Sequence, residues 1–121
     1  MNNSLVLAYL GDSIYEFYIR KYLISQGIEK VDKLQSESIK YVSAKSQAMY
    51  LKKLMDANYF SKEELDIIIR ARNHKSNHKP KNCDIITYKN ATGLEALFGY
   101  LYYNNNVKRI EEIIDFIINS N

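Results

Sequence analysis

From Leu5 to Leu23 the apolar residues Leu5, Ala8, Tyr9, Tyr15, Ile19, Tyr22 and Leu23 recur at the three- and four-residue spacing of one helix face. Ser4 can cap this helix, which runs to about Gln26, with Gly27 suited to the turn that ends it. A second helical region covers residues 32–57. Within it YVSAKSQAMYLKKL is amphipathic, with Val42, Met49 and Leu54 inward and Lys45, Lys52 and Lys53 outward. Ser61 and Glu64, three residues apart, predict a capping box that opens a third helix carrying Ile67, Ile68 and Ile69. Residues 73–89, NHKSNHKPKNCDIITYK, show no period and contain the only proline, Pro80, so a long basic loop is expected. Asn90 or Thr92 starts a fourth helix to about Tyr103, Asn104–Asn106 breaks it, and VKRIEEIIDFII forms a last amphipathic helix. There is no internal repeat and no linker. The expectation is one domain over residues 1–121, an all-α bundle of five to seven helices.

Composition sharpens this picture only slightly. Four glycines and one proline argue against a sheet rich in tight turns, and 46% apolar with 26% charged residues is ordinary for a globular chain. No apolar run approaches the roughly 18 residues of a membrane span. The start MNNSLVLAYLGD has no basic segment of the kind that opens a signal peptide. A lone cysteine, Cys83, cannot form an internal disulfide, so a cytoplasmic protein with no membrane partner is expected. The net charge of +3 is compatible with nucleic acid without demanding it. Its distribution says more: six Lys or Arg lie between Arg70 and Lys89 against the single acid Asp84.

Two carboxylates interrupt the apolar stripes. Asp12 is the only charged side chain among residues 1–15, and its helical neighbours Leu5, Ala8, Tyr9, Tyr15, Glu16 and Ile19 lie on the face expected to be buried. Glu95 is the only charge between Lys89 and Lys108, with Ala91, Thr92, Phe98, Gly99 and Tyr102 around it. An ionised carboxylate in such surroundings costs several kcal/mol unless paired or bound to a cation. Gly11 adjoins Asp12, and Gly93 and Gly99 flank Glu95, so two helices could approach closely and bring the carboxylates together. Pairing with an arginine or a helix end is the plain structural reading. A shared ligand set of hard oxygen donors is the functional one, and it suits Mg²⁺ or Mn²⁺. Mg²⁺ keeps several waters, one of which can attack a phosphate while the ion offsets the developing charge.

LGDSIYEFYIRKYL resembles the signature helix of the ribonuclease III domain, and ATGLEALFGYLYY resembles its second carboxylate motif. YVSAKSQAMYL, IIIRARNHKS and PKNCDIITYKNATGLEAL are most similar to the Mini-III ribonucleases, which lack a double-stranded-RNA-binding domain. The resemblance covers nearly the whole chain. It implies an all-α homodimer that cleaves double-stranded RNA with Mg²⁺, leaving 5′-phosphate and 3′-hydroxyl ends. It further implies a role in maturation of large-subunit ribosomal RNA, with a ribosomal protein as a candidate further partner. Asp12 and Glu95 fall on the two motif carboxylates, and Tyr9 falls on an aromatic that reaches the partner subunit in larger relatives. Ala8 and Thr92 stand where those relatives carry two further carboxylates, which leaves the number of metal ions open. Glu16 is a candidate outer contact, though a plain surface glutamate is its simpler reading.

Arg70, Arg72, Asn73, Lys75, Lys79 and Lys81 are the candidate RNA contacts, the cations for phosphates and Asn73 for a 2′-hydroxyl. His74, His78, Cys83 and Asp84 give only a weak zinc signal, because HKSNH lacks the glutamate of a zinc peptidase and sits beside a proline. The main alternative function is a non-catalytic helical RNA-binding or ribosome-assembly module, in which Asp12 and Glu95 only pair with basic groups. A metal-dependent hydrolase acting on DNA or nucleotides is a third.

Overall fold

The computed structural model describes residues 3–74 and 83–121, and among these the chain forms six helices and no strand. They are α1 (Ser4–Ser25), α2 (Val31–Val42), α3 (Ala44–Asp56), α4 (Lys62–Arg72), α5 (Ile85–Tyr103) and α6 (Val107–Asn119). The centre is α5, which packs most extensively against α1 and also meets α3, α4 and α6. Between Ala91 and Leu101 its sequence is apolar on nearly every side, and only Glu95 and Tyr100 escape full burial. A helix hydrophobic all round has no face to give to water, so its neighbours must enclose it. Tyr15 and Ile19 of α1, Leu54 of α3, Ile68 of α4 and Ile113 of α6 are completely buried around it.

Local chemistry sets most helix ends. The Ser61–Glu64 capping box forms as expected, with Ser61 N–H donating to Glu64 Oε1 at 2.9 Å and Glu64 N–H to Ser61 Oγ at 3.1 Å. Glu64 also takes two hydrogen bonds from Arg109, at 2.8 and 2.9 Å, and so clamps α6 onto the start of α4. Gly27 adopts φ +87°, the left-handed turn predicted for it after α1.

Other expectations need correction. Asn3, not Ser4, caps α1, accepting from the N–H groups of Leu5 and Val6. The region 32–57 is two helices, divided at Ser43, whose side chain turns to cap α3 through Ser46 N–H. Of the three residues read as inward, Leu54 is buried and Val42 half-buried, but Met49 lies exposed. Lys53, read as outward, reaches back to donate to the Ser120 carbonyl oxygen. The loop is shorter than 73–89, because α5 begins at Ile85 rather than at Asn90 or Thr92. Asp84 caps it, accepting from both the N–H and the hydroxyl of Thr87 at 2.9 Å. That cap is followed by the polar TYKN stretch, which hides the helical period. Tyr9 and Leu5, placed on the core stripe by spacing, are exposed, Tyr9 by 85%.

What positions the two carboxylate motifs is a backbone contact. A methyl group added at Gly11 would lie 1.6 Å from the Glu95 carbonyl oxygen, and one at Gly99 would lie 1.9 Å from the Leu7 carbonyl oxygen. Here α1 and α5 touch main chain to main chain, which only glycine on both sides permits. Gly93 serves a different neighbour, facing Ile68 and Arg72 of α4.

Candidate active site

The close contact of Gly11 with the Glu95 main chain brings the neighbouring Asp12 carboxylate near enough to the Glu95 side chain to raise its carboxyl. Asp12 is not on the buried face that its spacing suggested. The stripe of α1 against α5 runs through Leu7, Ala8, Gly11, Tyr15 and Ile19, and Asp12, one residue past Gly11, stands exposed at its margin. Glu95 is half-buried beneath it. Burial first, then the negative charge of Asp12 and a hydrogen bond to it, push the Glu95 carboxyl up to about 8, while a hydrogen bond from Gln47 works the other way. Among the described residues no ion pair joins either carboxylate to a cation. The plain structural reading, a carboxylate neutralised by arginine, is therefore absent from these residues.

The two positions where the resemblance implies further carboxylates carry groups that cannot act as charged ligands. Ala8 is buried against α5, and Thr92 is buried with its hydroxyl donating to the Tyr88 carbonyl oxygen at 2.9 Å. Glu16 is half-buried and pairs with Arg20 at 3.4 Å, yet its charge still raises the Glu95 carboxyl. No cluster of three or more metal-ligating His, Cys, Asp or Glu exists among the described residues. The donors that fit a divalent cation are thus two hard carboxylates, one at the solvent edge. That set suits an ion retaining several waters, as Mg²⁺ does, and not a fully caged one.

Gln47 is the site residue that the spacing of charges could not flag. It is 2% exposed, and its Nε2 donates to the Val42 carbonyl oxygen at 3.0 Å and to Glu95 Oε2 at 3.4 Å. The signal existed: Gln47, Tyr50, Leu51 and Leu54 form an i, i+3, i+4, i+7 stripe, so one polar amide sits on the inner face of α3.

Beyond this centre, Arg70 projects into solvent and pairs with Asp66 at 2.9 Å, an exposed contact that a phosphate can displace. Arg72 is half-buried along Gly93, and Asn73 is exposed as the C-cap of α4. Lys75, Lys79 and Lys81 lie outside the described residues, as does His78. His74 is exposed and Cys83 half-buried.

Residues 5–106 match the family model described as the ribonuclease III domain. The chain belongs to the ribonuclease III domain family. Within that family it is similar to proteins named Mini-ribonuclease 3. It is 44% identical to the one from Staphylococcus aureus over 96% of this chain and 87% of that protein. Identity is 40% with the Streptococcus pneumoniae protein, over 96% of this chain and 91% of the other. With the Brevibacillus brevis protein it is 46%, covering 94% and 84% respectively. A crystal structure of a Fusobacterium nucleatum protein superimposes with a TM-score of 0.85 at 34% identity, covering 98% of this chain and 94% of that one. This ribonuclease III domain thus matches these relatives over 94–96% of its own length and shares the fold of the Fusobacterium nucleatum protein over 98% of it.

Proposed function

We propose that this ribonuclease III domain is a metal-dependent endoribonuclease that cuts double-stranded RNA, with Asp12 and Glu95 as its metal-binding, catalytic carboxylates. The observation that carries the reading is the meeting of these two carboxylates, without a neutralising cation among the described residues, where glycines let α1 and α5 touch. A half-buried carboxylate beside a second negative charge is costly to keep ionised, and a divalent cation is the ligand that offsets that cost. When bound, Mg²⁺ (or Mn²⁺) supplies an activated water and stabilises charge on the phosphate, leaving 5′-phosphate and 3′-hydroxyl ends. Glu95, half-buried, would hold the cation from the fold side, and Asp12, exposed at the margin of α1, would hold it from the solvent side.

Arg70, Arg72 and Asn73 at the end of α4, with Lys75, Lys79 and Lys81 beyond them, are the proposed contacts to the RNA backbone and 2′-hydroxyls. Binding through such cations weakens steeply with salt. The natural substrate is proposed to be the precursor of large-subunit ribosomal RNA in the cytoplasm, with a ribosomal protein as a candidate helper. The whole chain, residues 1–121, acts as one catalytic domain.

The functional unit is a homodimer, which would set two sites along one duplex, one for each strand. Tyr9 is 85% exposed on α1 beside Leu5 and Val6, an apolar turn suited to a partner subunit. A Tyr9→Asp change is expected to shift the protein from dimer to monomer in sedimentation velocity. A variant that stays dimeric at micromolar concentration would place the interface elsewhere.

The direct test is a long RNA duplex incubated with the protein and Mg²⁺ at low salt, beside EDTA, an Asp12→Asn variant and a matching DNA duplex. Cleavage of the RNA alone, lost with EDTA and in the variant, is the expected result. A folded protein that binds the duplex and never cuts it would replace this reading with the assembly module.

A further inference from the structure

Gln47 is a buried polar side chain that the proposed chemistry leaves without a role. Both hydrogens of its amide are used, one on the Val42 carbonyl oxygen at the end of α2 and one on Glu95 Oε2. Its oxygen, Oε1, is buried and accepts no hydrogen bond among the described residues. Exchanging the amide's nitrogen and oxygen cannot cure this. It would aim an acceptor at the Val42 carbonyl oxygen, which cannot donate, so that partner sets the orientation. An unpaired buried acceptor costs stability, and Met or Leu would fill the same place in the Tyr50–Leu51–Leu54 stripe without that cost. The two donated bonds must therefore accomplish something that packing does not.

We propose that Gln47 is the positioning residue for Glu95, tying the carboxylate to the α2–α3 junction and fixing the rotation in which it faces Asp12. The inference rests on the metal-binding reading of that pair. Glutamate has a long side chain whose terminal torsion is broad, and a neighbouring like charge drives it away. A donor bridged to a helix-end carbonyl holds it in place before any cation arrives. Groups of this kind, one step behind the ligands, set ligand orientation, and losing one typically lowers metal affinity about 10–100-fold.

The test is Gln47→Met, which conserves volume while removing both donors and the unpaired oxygen. Mn²⁺ binding to the protein without RNA, followed by electron paramagnetic resonance, should weaken about tenfold or more. The Mg²⁺ concentration for half-maximal cleavage should rise in parallel, while KM for the duplex at saturating Mg²⁺ and the metal-free melting temperature stay near the parent's. In the parent protein, the side-chain amide NMR signals of Gln47 should move on adding Mg²⁺ and on the Glu95→Gln change. This second measurement needs no variant of Gln47 to fold. Mn²⁺ binding by Gln47→Met equal to that of an active parent, or amide signals indifferent to Mg²⁺, would overturn this inference alone. A parent that neither binds Mn²⁺ nor cuts RNA would overturn it together with the metal reading.

Discussion

A Glu95→Gln chain should lose RNA cleavage by a factor of about a thousand or more, and in the absence of metal it should be more stable than its parent. The two effects share one cause. The Glu95 carboxyl is held near 8, against an ordinary 4.5, because burial and the Asp12 charge disfavour its ionised form. Between those values the folded chain holds a proton that the unfolded chain has released. Stability without metal is therefore greatest below about pH 4.5 as far as this group is concerned, and it falls as pH rises through the window to about 8. Glu95 is only half-buried, so solvent screening reduces the penalty, to about 1–2 kcal/mol above pH 8. The amide accepts from Gln47 as the carboxylate does, and its NH₂ can donate toward Asp12. The variant should accordingly melt several degrees higher at pH 8 and show a flatter stability profile between pH 5 and 8. Added Mg²⁺ should stabilise the parent and leave the variant unchanged, because the cation binds only where both charges are present. Melting curves at three pH values, with and without EDTA, are enough to check this. A variant less stable than the parent at pH 8 would mean that Glu95 has a stabilising partner and that the pair is structural.

Gly11→Ala should be the most damaging single methyl group in the molecule. Helix propensity alone favours alanine over glycine by about 1 kcal/mol in mid-helix. Here the added carbon would meet the Glu95 carbonyl oxygen at 1.6 Å and the Gly99 nitrogen at 2.8 Å, both main-chain atoms that no rotamer change can move. Relief requires α1 and α5 to separate by more than an ångström along the largest packing contact of the fold. The expected loss is about 3 kcal/mol or more, outweighing the propensity gain, with chains that still fold losing the Asp12–Glu95 juxtaposition and the Mg²⁺ response. Gly93→Ala is the informative control. Its nearest neighbours are the Arg72 Cγ at 3.0 Å and the Ile68 Cγ2 at 3.2 Å, side-chain atoms able to shift, so its cost should be much smaller. Chemical denaturation of both variants would decide the matter, and a Gly11→Ala protein as stable as the parent would disprove the close crossing.

Much of this was legible without coordinates, for reasons that differ from element to element. The Ser61–Glu64 box is a contact between residues three apart, so the sequence contains both partners. The final helix declares itself because Ile110, Ile113, Ile114 and Ile117 repeat at the helical period opposite charged positions. Asp12 and Glu95 were conspicuous as isolated charges in apolar helices, and Gly11 and Gly99 suggested how two helices could meet. The Asp84 cap is hidden in the sequence because the polar residues after it carry no period. Gln47 is hidden because an uncharged amide among lysines and serines stands out only on the inner stripe of α3.

The sequence by itself determined the all-α composition, the Ser61–Glu64 capping box, the turn at Gly27 and the isolation of Asp12 and Glu95 among apolar residues, since each depends on neighbours within a few residues along the chain. Only the tertiary structure decided that Asp12 lies at the margin of α1, that Gly11 faces the Glu95 carbonyl rather than empty space, and that Gly93 serves α4 instead. It alone placed Gln47, 48 residues away in sequence, against Glu95. A helix period fixes which residues share a face. It does not fix the rotation of that helix against a distant one, and a difference of one residue, about 100° around the axis, separates a buried charge from one at the solvent edge of the proposed active site.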